Sequence, residues 1–309
     1  MLRKMLLAAN IHAGKGTVRS CLPELIDYYV SQGWDVTVHT TQRPQELPQY
    51  LKENACRYEL LASAGGDGTL NETIHGLMGC SNPPLLAYLP AGTVNDFASS
   101  LKIPKNIPEA ARLLENGIPR RVDLGQFGEQ YFSYVAAFGA FTDVAYQTPQ
   151  AAKQVWGRLA YLVEGLKRLP NLRPFHMKLE ADDFSLEDDF LFGMVSNSTS
   201  VGGFRFFEQS GMAIDDGLLE MTFVRYPKNF AEQQAIMNAI LKREAAPDLI
   251  HLRQEGRLHI FSEIPVPWTL DGEFGGEVQD VEIRCLTRAL KILVPGAEME
   301  PLTPSSKMK

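Results

Sequence analysis

The chain contains 309 residues, of which 45% are hydrophobic, and it carries a formal net charge of −7 at pH 7. This length and apolar content are sufficient for two domains, each with a core of its own. The negative charge argues against a nucleic-acid-binding protein, because such proteins normally present a basic face. The longest apolar runs are much shorter than the roughly 20 residues of a membrane-spanning helix, so we expect a cytoplasmic protein.

Strands and helices alternate in the first third of the sequence. Short apolar runs predict strands, and the segments between them show the periodicity of helices. The predicted strands are 4–9, 34–40, 59–63 and 85–89, and the predicted helices are 22–31, 44–54, 70–78, 97–101 and 108–115. Alternation of this kind predicts a mainly parallel sheet that is covered by helices on both faces.

The pattern changes near residue 121, where short strands separated by turn residues begin. These strands are predicted at 121–127, 131–138, 175–180, 190–197, 218–225, 258–262, 268–270 and 281–284, with helices at 154–169 and 230–243. A run of short strands is typical of an antiparallel β-sandwich. We expect the polar tail after Pro301 to be loose.

The four cysteines, Cys21, Cys56, Cys80 and Cys285, are scattered along the chain. They form no Cys-x-x-Cys pair and no cluster with histidine, so the sequence does not indicate a zinc site. We expect them to be reduced, buried thiols, as is usual in a cytosolic protein.

The most informative segment follows the third predicted strand, where Gly65, Gly66, Asp67, Gly68 and Thr69 precede a helix. Glycine tolerates positive φ and allows another group to approach the main chain closely. The unpaired N–H groups at the start of a helix attract phosphate. Asp-Gly and Gly-Gly turns also occur without a ligand, but three glycines interleaved with Asp and Thr favour a phosphate-binding turn.

A second turn of the same kind follows the strand predicted at 85–89. It contains Gly92, Thr93, Asn95 and Asp96, and either of the last two could cap the next helix. Taken alone, this turn fits a helix cap as well as a ligand site. Ligands of open α/β sheets bind beyond the carboxyl ends of the strands, so two polar turns at neighbouring strand ends together favour a binding site.

Other catalytic and nucleotide motifs do not match. A P-loop requires GxxxxGK[ST], whereas Gly16 follows Lys15 where a hydroxyl residue is needed. A dinucleotide fingerprint requires GxGxxG, and Asn71 stands at its third glycine position. GxSxG, HExxH and the protein-kinase HRD and DFG motifs are absent from the sequence.

The two glycine turns, GGDGT at 65–69 and PxGTxNDFA at 90–98, resemble the diacylglycerol kinase family of lipid kinases, above all its bacterial members. Sphingosine and ceramide kinases share this catalytic domain. The likeness continues in family order through VDLG at 122–125, DDG at 215–217 and LDGE at 270–273. The resemblance implies transfer of the γ-phosphate of ATP to diacylglycerol, which gives phosphatidic acid, with Mg²⁺ as cofactor.

The resemblance also implies an architecture. Residues 1–128 would form a Rossmann-like α/β nucleotide-binding domain, completed by 289–309 with a returning strand at 289–294. Residues 129–288 would form an antiparallel β-sandwich domain for the lipid substrate. The nucleotide would then lie in the cleft between the two domains. A homodimer is compatible with this arrangement.

The nucleotide ligands that the resemblance implies come from four segments. They are Asn10, Gly14, Lys15, Thr41, Gly65, Gly66, Asp67, Gly68, Thr69, Leu70, Asn71, Glu72, Gly92, Thr93 and Asn95. Ile11 and Ala13 replace the proline and serine of the family's opening NPxSGK motif. Lys15 could offer a point charge to a phosphate, although a solvated loop lysine would look the same.

Carboxylates supply the implied metal and base chemistry. Asp67, Asp96 and Asp123 could form an acidic edge for Mg²⁺, although Asp123 could instead pair with Arg120 or Arg121. The resemblance makes Glu273 the general base and Asp67 a second catalytic residue. A second, structural Mg²⁺ site would use Ala213, Asp216 and Leu218, where an ordinary Asp-Gly turn is the alternative.

The helix predicted at 154–169 is a candidate for lipid contact. Its apolar face and neighbouring basic residues are Trp156, Leu159, Ala160, Val163, Leu166, Arg158, Lys167 and Arg168. Such a face could rest on the inner surface of the membrane, which would make the protein a peripheral one. A stripe of this kind more often packs into a core.

Three other functions remain open. The acceptor could be another lipid alcohol, such as phosphatidylglycerol, a sphingoid base or undecaprenol. An NAD kinase has a similar glycine turn, but the DDG and DGE motifs in a β-rich second half favour a lipid kinase. A nucleotide-binding regulator without catalysis is disfavoured, because all four candidate carboxylates, Asp67, Asp96, Asp123 and Glu273, are present.

Overall fold

The structure is a computed structural model that describes residues 3–139, 173–197, 214–242 and 246–296. It mixes helices with strands, and strands predominate. The strands are β1 (Arg3–Ala9), β2 (Trp34–Thr40), β3 (Leu60–Gly65), β4 (Leu85–Pro90), β5 (Gly117–Phe127), β6 (Gln130–Phe132), β7 (Val135–Gly139), β8 (Phe175–Glu180), β9 (Ser185–Ser196), β10 (Leu219–Arg225), β11 (Ile250–Glu255), β12 (Arg257–Leu270) and β13 (Glu273–Pro295). The helices are α1 (Thr17–Ser31), α2 (Leu47–Asn54), α3 (Asp67–Met78), α4 (Asp96–Ser100), α5 (Ile107–Ala111), α6 (Leu113–Asn116) and α7 (Phe230–Lys242), with 3-10 turns at Ala13–Gly16 and Ala55–Arg57.

The first four strands run parallel in the order β2-β1-β3-β4. All six residues of β3 are buried, as is typical of a parallel strand between two apolar layers. Main-chain hydrogen bonds continue past the strand ends, from Asn10 N to Ala64 O and from Ala91 N to Gly65 O. The loops that follow β1, β3 and β4 therefore leave the sheet side by side, at one edge.

The long strand β13 connects the parallel strands with the antiparallel ones. Its first part pairs antiparallel with β12, from Leu270 opposite Glu273 to Arg257 opposite Arg284. Its last part runs parallel to β4, with Ile292 opposite Leu86, and antiparallel to β5. Within the described ranges, all 13 strands consequently belong to one hydrogen-bonded sheet.

Strands β7 and β8 lie end to end between β9 and β12. Gly139, the last residue of β7, pairs with Phe192, and Phe175, the first residue of β8, pairs with Phe190. The candidate lipid helix at 154–169 falls between β7 and β8 in the sequence and lies outside the described residues.

Aromatic side chains fill the core of the antiparallel region. Phe138 lies 4.8 Å from Trp268 between ring centroids, and Phe127 lies 5.0 Å from the same ring. A second core lies under the parallel strands and includes the fully buried residues Leu6 and Leu61. Among the helices of the described ranges, none is both long and apolar enough to cross a membrane.

Several predicted strands are parts of longer ones. The segments predicted at 258–262 and 268–270 belong to the single strand β12, and those at 281–284 and 289–294 belong to β13. Strand β11 was not predicted, and α1 begins five residues earlier than predicted, at Thr17. The expected loose tail after Pro301 lies outside the described residues.

The prediction for the cysteines was wrong in part. Cys56 and Cys80 form a disulfide that joins the turn after α2 to the end of α3. Cys56 is exposed, not buried, which a sequence without a recognisable cysteine pattern could not indicate. Cys21 and Cys285 are free and half-buried.

Candidate active site

The turns after β3 and β4 are in contact through their glycines. A Cβ atom added to Gly66 would lie 3.2 Å from the Cα of Gly92, and one added to Gly65 would lie 2.4 Å from Oγ1 of Thr69. Side chains at these positions would hold the two turns apart or displace Thr69. The glycines are therefore required by close packing around the start of α3, where the first main-chain N–H groups of a helix have no partner within the helix.

The loop after β1 completes a group of three adjacent loops. Asn10 donates from Nδ2 to Oγ1 of Thr69 at 3.1 Å. Gly14 has a positive φ of 62°, and a Cβ atom there would lie 2.5 Å from the carbonyl oxygen of Ala91. Lys15 lies next to it in the turn Ala13–Gly16. Thr41, which is buried, follows β2 and donates its N–H to Ala9 O at 3.1 Å.

Asn95 fixes the shape of the second turn. Its side chain accepts from Gly92 N and donates to Gly92 O, both at 2.9 Å, while its own φ is 54°. Its main-chain N–H donates to Oδ2 of Asp67 at 3.0 Å. Asn95 holds the N-cap position of α4, which begins at Asp96, but its side chain makes no capping hydrogen bond.

Asp67, the first residue of α3, is electrostatically unusual. Burial is the main reason that its pKa is raised from 3.8 to about 6, and the charges of Asp96 and Asp271 add to the increase. The Asn95 N–H and the charge of Lys105 act in the opposite direction. Its Oδ1 is buried, and none of the residues that the structure describes forms a hydrogen bond with it. A buried carboxylate oxygen of this kind fits a hard cation, for which oxygen ligands are preferred.

Glu273 approaches this turn from the other half of the chain. The residues before it, Asp271 and Gly272, have φ angles of 52° and 88°, and Leu270 pairs with Glu273 across them. Two consecutive positive φ angles are the requirement of a type I′ hairpin turn. The hairpin brings Oε1 of Glu273 to 3.7 Å from the Cβ position of Gly68, and both residues are exposed.

Asp271 is a site residue that the sequence reasoning missed. It is 6% exposed, and its carboxylate accepts five hydrogen bonds. The donors are Asn71 Nδ2, Ser133 N, Ser133 Oγ, Tyr134 N and Val135 N. The Asp-Gly pair is a local signal for the turn, but no local signal identifies donors so distant in sequence. Lys105, which lies near Asp67, was missed for the same reason.

Asp123 lies in a second polar cluster. It is fully buried, and its two carboxylate oxygens accept from Gly217 N at 2.7 Å and from Arg288 N at 2.6 Å. Arg120 forms its ion pair with Asp215, at 3.0 Å, so the alternative pairing of Arg120 with Asp123 was wrong. Asp123 thus holds the Asp-Gly turn at 215–217 against the end of β5.

The candidate structural metal site borders this cluster. Asp216 is exposed and accepts from Leu218 N at 3.0 Å, while Ala213 lies outside the described residues. The nearby Glu220, also missed by the sequence reasoning, has a pKa raised to about 7, chiefly by burial and in part by Asp216. In the described ranges, no three His, Cys, Asp or Glu side chains form a metal-binding group.

Comparison with known proteins gives a consistent result. A family model for the diacylglycerol kinase catalytic domain matches residues 4–127. A diacylglycerol kinase of Bacillus subtilis (strain 168) is 30% identical over 97% of this chain and 99% of its own. One of Staphylococcus saprophyticus is 30% identical over 90% of this chain and 91% of its own.

Solved structures agree with these relatives. A crystal structure of a candidate diacylglycerol kinase from Bacillus anthracis str. Sterne superimposes with a TM-score of 0.79 and 26% identity, covering 96% of both chains. The matched catalytic domain and the glycine-rich turns define the chain as a lipid kinase. The chain belongs to the diacylglycerol kinase family.

Proposed function

We propose that this enzyme transfers the γ-phosphate of ATP to the hydroxyl of diacylglycerol, and that phosphatidic acid is the product. The observation that carries the proposal is the position of Glu273 beside Gly68. A carboxylate oxygen from the antiparallel half thus lies 3.7 Å from where a side chain would begin at Gly68, in the glycine-rich helix start of the parallel half. A carboxylate next to a phosphate-binding turn suits a reaction in which a hydroxyl group attacks a bound phosphate and must lose its proton.

The nucleotide would bind at the edge where the loops after β1, β3 and β4 meet. Free N–H groups at the start of α3 would receive phosphate oxygens. Asn10, Thr69 and Asn95 shape these loops through the hydrogen bonds described above. The remaining proposed ligands are Gly14, Lys15, Thr41, Gly65, Gly66, Asp67, Gly68, Leu70, Glu72, Gly92 and Thr93.

Asp67 and Asp96 are the residues proposed to hold the Mg²⁺ that accompanies ATP. The ion would neutralise the charge of the phosphates. The buried Oδ1 of Asp67, which has no hydrogen-bond partner in the described part of the chain, supports this role for Asp67. Asp123 would contribute indirectly, because its oxygens already hold main-chain N–H groups. Asp216 and Leu218, with Ala213, remain the proposed ligands of a structural Mg²⁺.

Glu273 is proposed to accept the proton of the attacking hydroxyl. Its carboxylate is exposed, so a lipid headgroup can reach it from the solvent side. A positioned base of this kind contributes typically 10²–10⁴-fold to the rate. The proposed unit for nucleotide binding is the Rossmann-like 1–128 with 289–309, and the proposed unit for the lipid is the β-sandwich 129–288.

A lipid acceptor implies work at a membrane surface, and we propose peripheral association with the inner face of the membrane. The segment between β7 and β8 in the sequence is the proposed lipid-contacting segment. Strand β7, which precedes it, contributes Phe138 to the aromatic core.

The test is a kinase assay with radiolabelled ATP and mixed micelles that contain one lipid alcohol each. We expect diacylglycerol to be labelled best, with label in phosphatidic acid and none without Mg²⁺. Preferential labelling of a sphingoid base, phosphatidylglycerol, undecaprenol or NAD would refute the substrate assignment. Glu273→Gln should lower kcat at least 10²-fold, whereas Glu277→Gln, an exposed glutamate on the same strand, should not.

A further inference from the structure

Helix α3 lies close to the β12–β13 hairpin at two places. Oε1 of Glu273 lies 3.7 Å from where a Cβ atom would stand at Gly68, and one turn later Asn71 donates from Nδ2 to Oδ2 of Asp271 at 3.1 Å. The two hairpin residues are separated only by Gly272. The helix that begins at the glycine-rich turn is therefore bonded to the same tight turn that carries the proposed base.

The amide of Asn71 has no donor left for a phosphate. Its second Nδ2 contact is to the carbonyl oxygen of Tyr131 at 3.3 Å. An amide nitrogen has two N–H groups, and both neighbours, a carboxylate and a carbonyl, can only accept. The side chain would present only its Oδ1 to a ligand, and an acceptor oxygen repels phosphate.

His75 strengthens the same contact from the next turn of α3. Its Nε2 accepts from Tyr131 N at 3.1 Å, and its Nδ1 lies 3.0 Å from Asn71 O. Since a carbonyl only accepts and a main-chain N–H only donates, the proton resides on Nδ1. Asn71 and His75 together bind both polar main-chain groups of Tyr131, which lies two residues before Ser133, the first of the consecutive residues that bind Asp271.

The carboxylate of Asp271 is rigidly held on its other side. Ser133, Tyr134 and Val135 supply four of its five donors, and Tyr134 also donates from its hydroxyl to Asp271 O at 3.0 Å. Hydrogen bonds to an ionised acceptor are among the strong ones in proteins. A shift of α3 would thus be transmitted through Asn71 to the hairpin, and from there to Glu273.

We propose that Asn71 is a positioning residue that sets Glu273 over the glycine-rich turn by way of Asp271, and is not a nucleotide ligand. The inference rests on the proposed function, because Glu273 is the group being positioned. It replaces the sequence-based expectation that Asn71 binds the nucleotide. The hydrogen bond from Asn71 to Asp271 couples the nucleotide-binding helix to the proposed base.

The first test separates kcat from nucleotide affinity. Asn71→Ala and the isosteric Asn71→Asp remove the donors. The control is Asn54→Ala, which removes an amide that donates to Tyr50 O within α2. We expect kcat to fall by up to about 10²-fold, with the Kd for MgATP within twofold of wild type. A tenfold weaker Kd with unchanged kcat, as expected of a ligand, would overturn the proposal.

A double-mutant cycle tests whether Asn71 acts through Glu273. In the Glu273→Gln background, Asn71→Ala should have little further effect on the residual rate, because the positioned group is already absent. Full additivity of the two losses would contradict the proposal.

Amide hydrogen exchange tests the coupling without catalysis. In Asn71→Ala, residues 131–135 and 271–274 should exchange faster than in the Asn54→Ala control, at a similar Tm. Unchanged exchange there would refute the proposal even in an active enzyme. Failure of the wild type to phosphorylate any lipid would refute the proposed function instead, and the exchange result would still decide the role of Asn71.

Discussion

Asn95 donates its main-chain N–H to the Asp67 carboxylate at 3.0 Å, so the turn after β4 is bonded directly to the turn after β3. This hydrogen bond and the charge of Lys105 favour the charged form of Asp67, whose other carboxylate oxygen has no hydrogen-bond partner among the described residues. The site therefore holds a carboxylate whose ionisation opposes folding until a ligand arrives.

The first prediction concerns the pH dependence that follows from Asp67. Burial raises its pKa from 3.8 to about 6, so between these values the folded chain binds more protons than the unfolded one. Its ionisation therefore lowers stability as pH rises from about 4 to about 6, and the loss persists above that. Asp67→Asn cannot ionise and should be more stable than wild type at pH 7–8.

Urea unfolding of the ligand-free, EDTA-treated proteins measures this difference. The advantage of Asp67→Asn should shrink as the pH falls towards 4. Asp35→Asn, on an exposed position of β2, controls for the loss of one negative charge. If the free energies of unfolding of Asp67→Asn and wild type differed by the same amount at pH 4 and pH 8, the ionisation of Asp67 would not be the cause of the difference.

The second prediction tests the contact between the two glycine turns. A Cβ atom at Gly92 would lie 2.6 Å from Asn95 Oδ1 and 2.9 Å from the Cα of Gly66. Gly92→Ala should lower the free energy of unfolding by about 1–3 kcal/mol through overpacking and should weaken binding of MgATP. A Cβ atom at Gly296 would lie 3.5 Å from its nearest neighbour, Asn116 O, so Gly296→Ala is the control. It should change neither the free energy of unfolding, measured by denaturation, nor the Kd for MgATP, measured by calorimetry.

The sequence predicts those parts of the fold that depend on residues close to one another in the chain. Strand β4 and residues 5–9 of β1 are continuous apolar runs, and the glycine turns have an unusual composition within ten residues. Strands β12 and β13 were predicted as fragments because exposed polar residues interrupt their apolar pattern. Their continuity depends on partners on both sides, which lie far away in sequence.

The site shows the same division between local and distant causes. Gly66, Asp67 and Gly68 are recognisable from their own neighbours. The bond between Asn71 and Asp271 joins residues 200 positions apart, and nothing near either residue indicates it. The sequence therefore identifies the position of the phosphate-binding turn but not the set of contacts that holds Glu273 beside it.

The third prediction concerns the disulfide between Cys56 and Cys80, which closes a loop with a sequence separation of 24 residues. A disulfide that closes a loop of this length lowers the conformational entropy of the unfolded chain, which stabilises the folded protein by about 3 kcal/mol. Dithiothreitol should therefore lower the Tm of the wild type. Cys56→Ser should already have this lowered Tm in the absence of reductant. A Cys21→Ser control should keep the response to reductant, and a wild-type Tm that is insensitive to reductant would contradict the prediction.

The fourth prediction compares two neighbouring aspartates. Asp123 is fully buried and accepts main-chain N–H groups on both oxygens, so Asp123→Asn places an NH₂ group against a donor. Leaving a buried donor unsatisfied costs about 1–3 kcal/mol, and the turn at 215–217 should become more mobile. Asp215→Asn breaks the partly exposed ion pair with Arg120 and should cost at most about 1 kcal/mol.

Denaturant unfolding of both variants, with and without Mg²⁺, makes this comparison. If the turn at 215–217 belongs to a structural metal site, as proposed, Mg²⁺ should stabilise wild type and Asp215→Asn but stabilise Asp123→Asn less. The reason is that Asp123 holds Gly217 N at 2.7 Å and so fixes the main chain beside Asp216. Equal stabilisation of all three proteins by Mg²⁺ would show that the metal does not bind at this turn. Equal decreases in the free energy of unfolding of the two variants would show that the buried hydrogen bonds of Asp123 contribute no more than the partly exposed ion pair of Asp215.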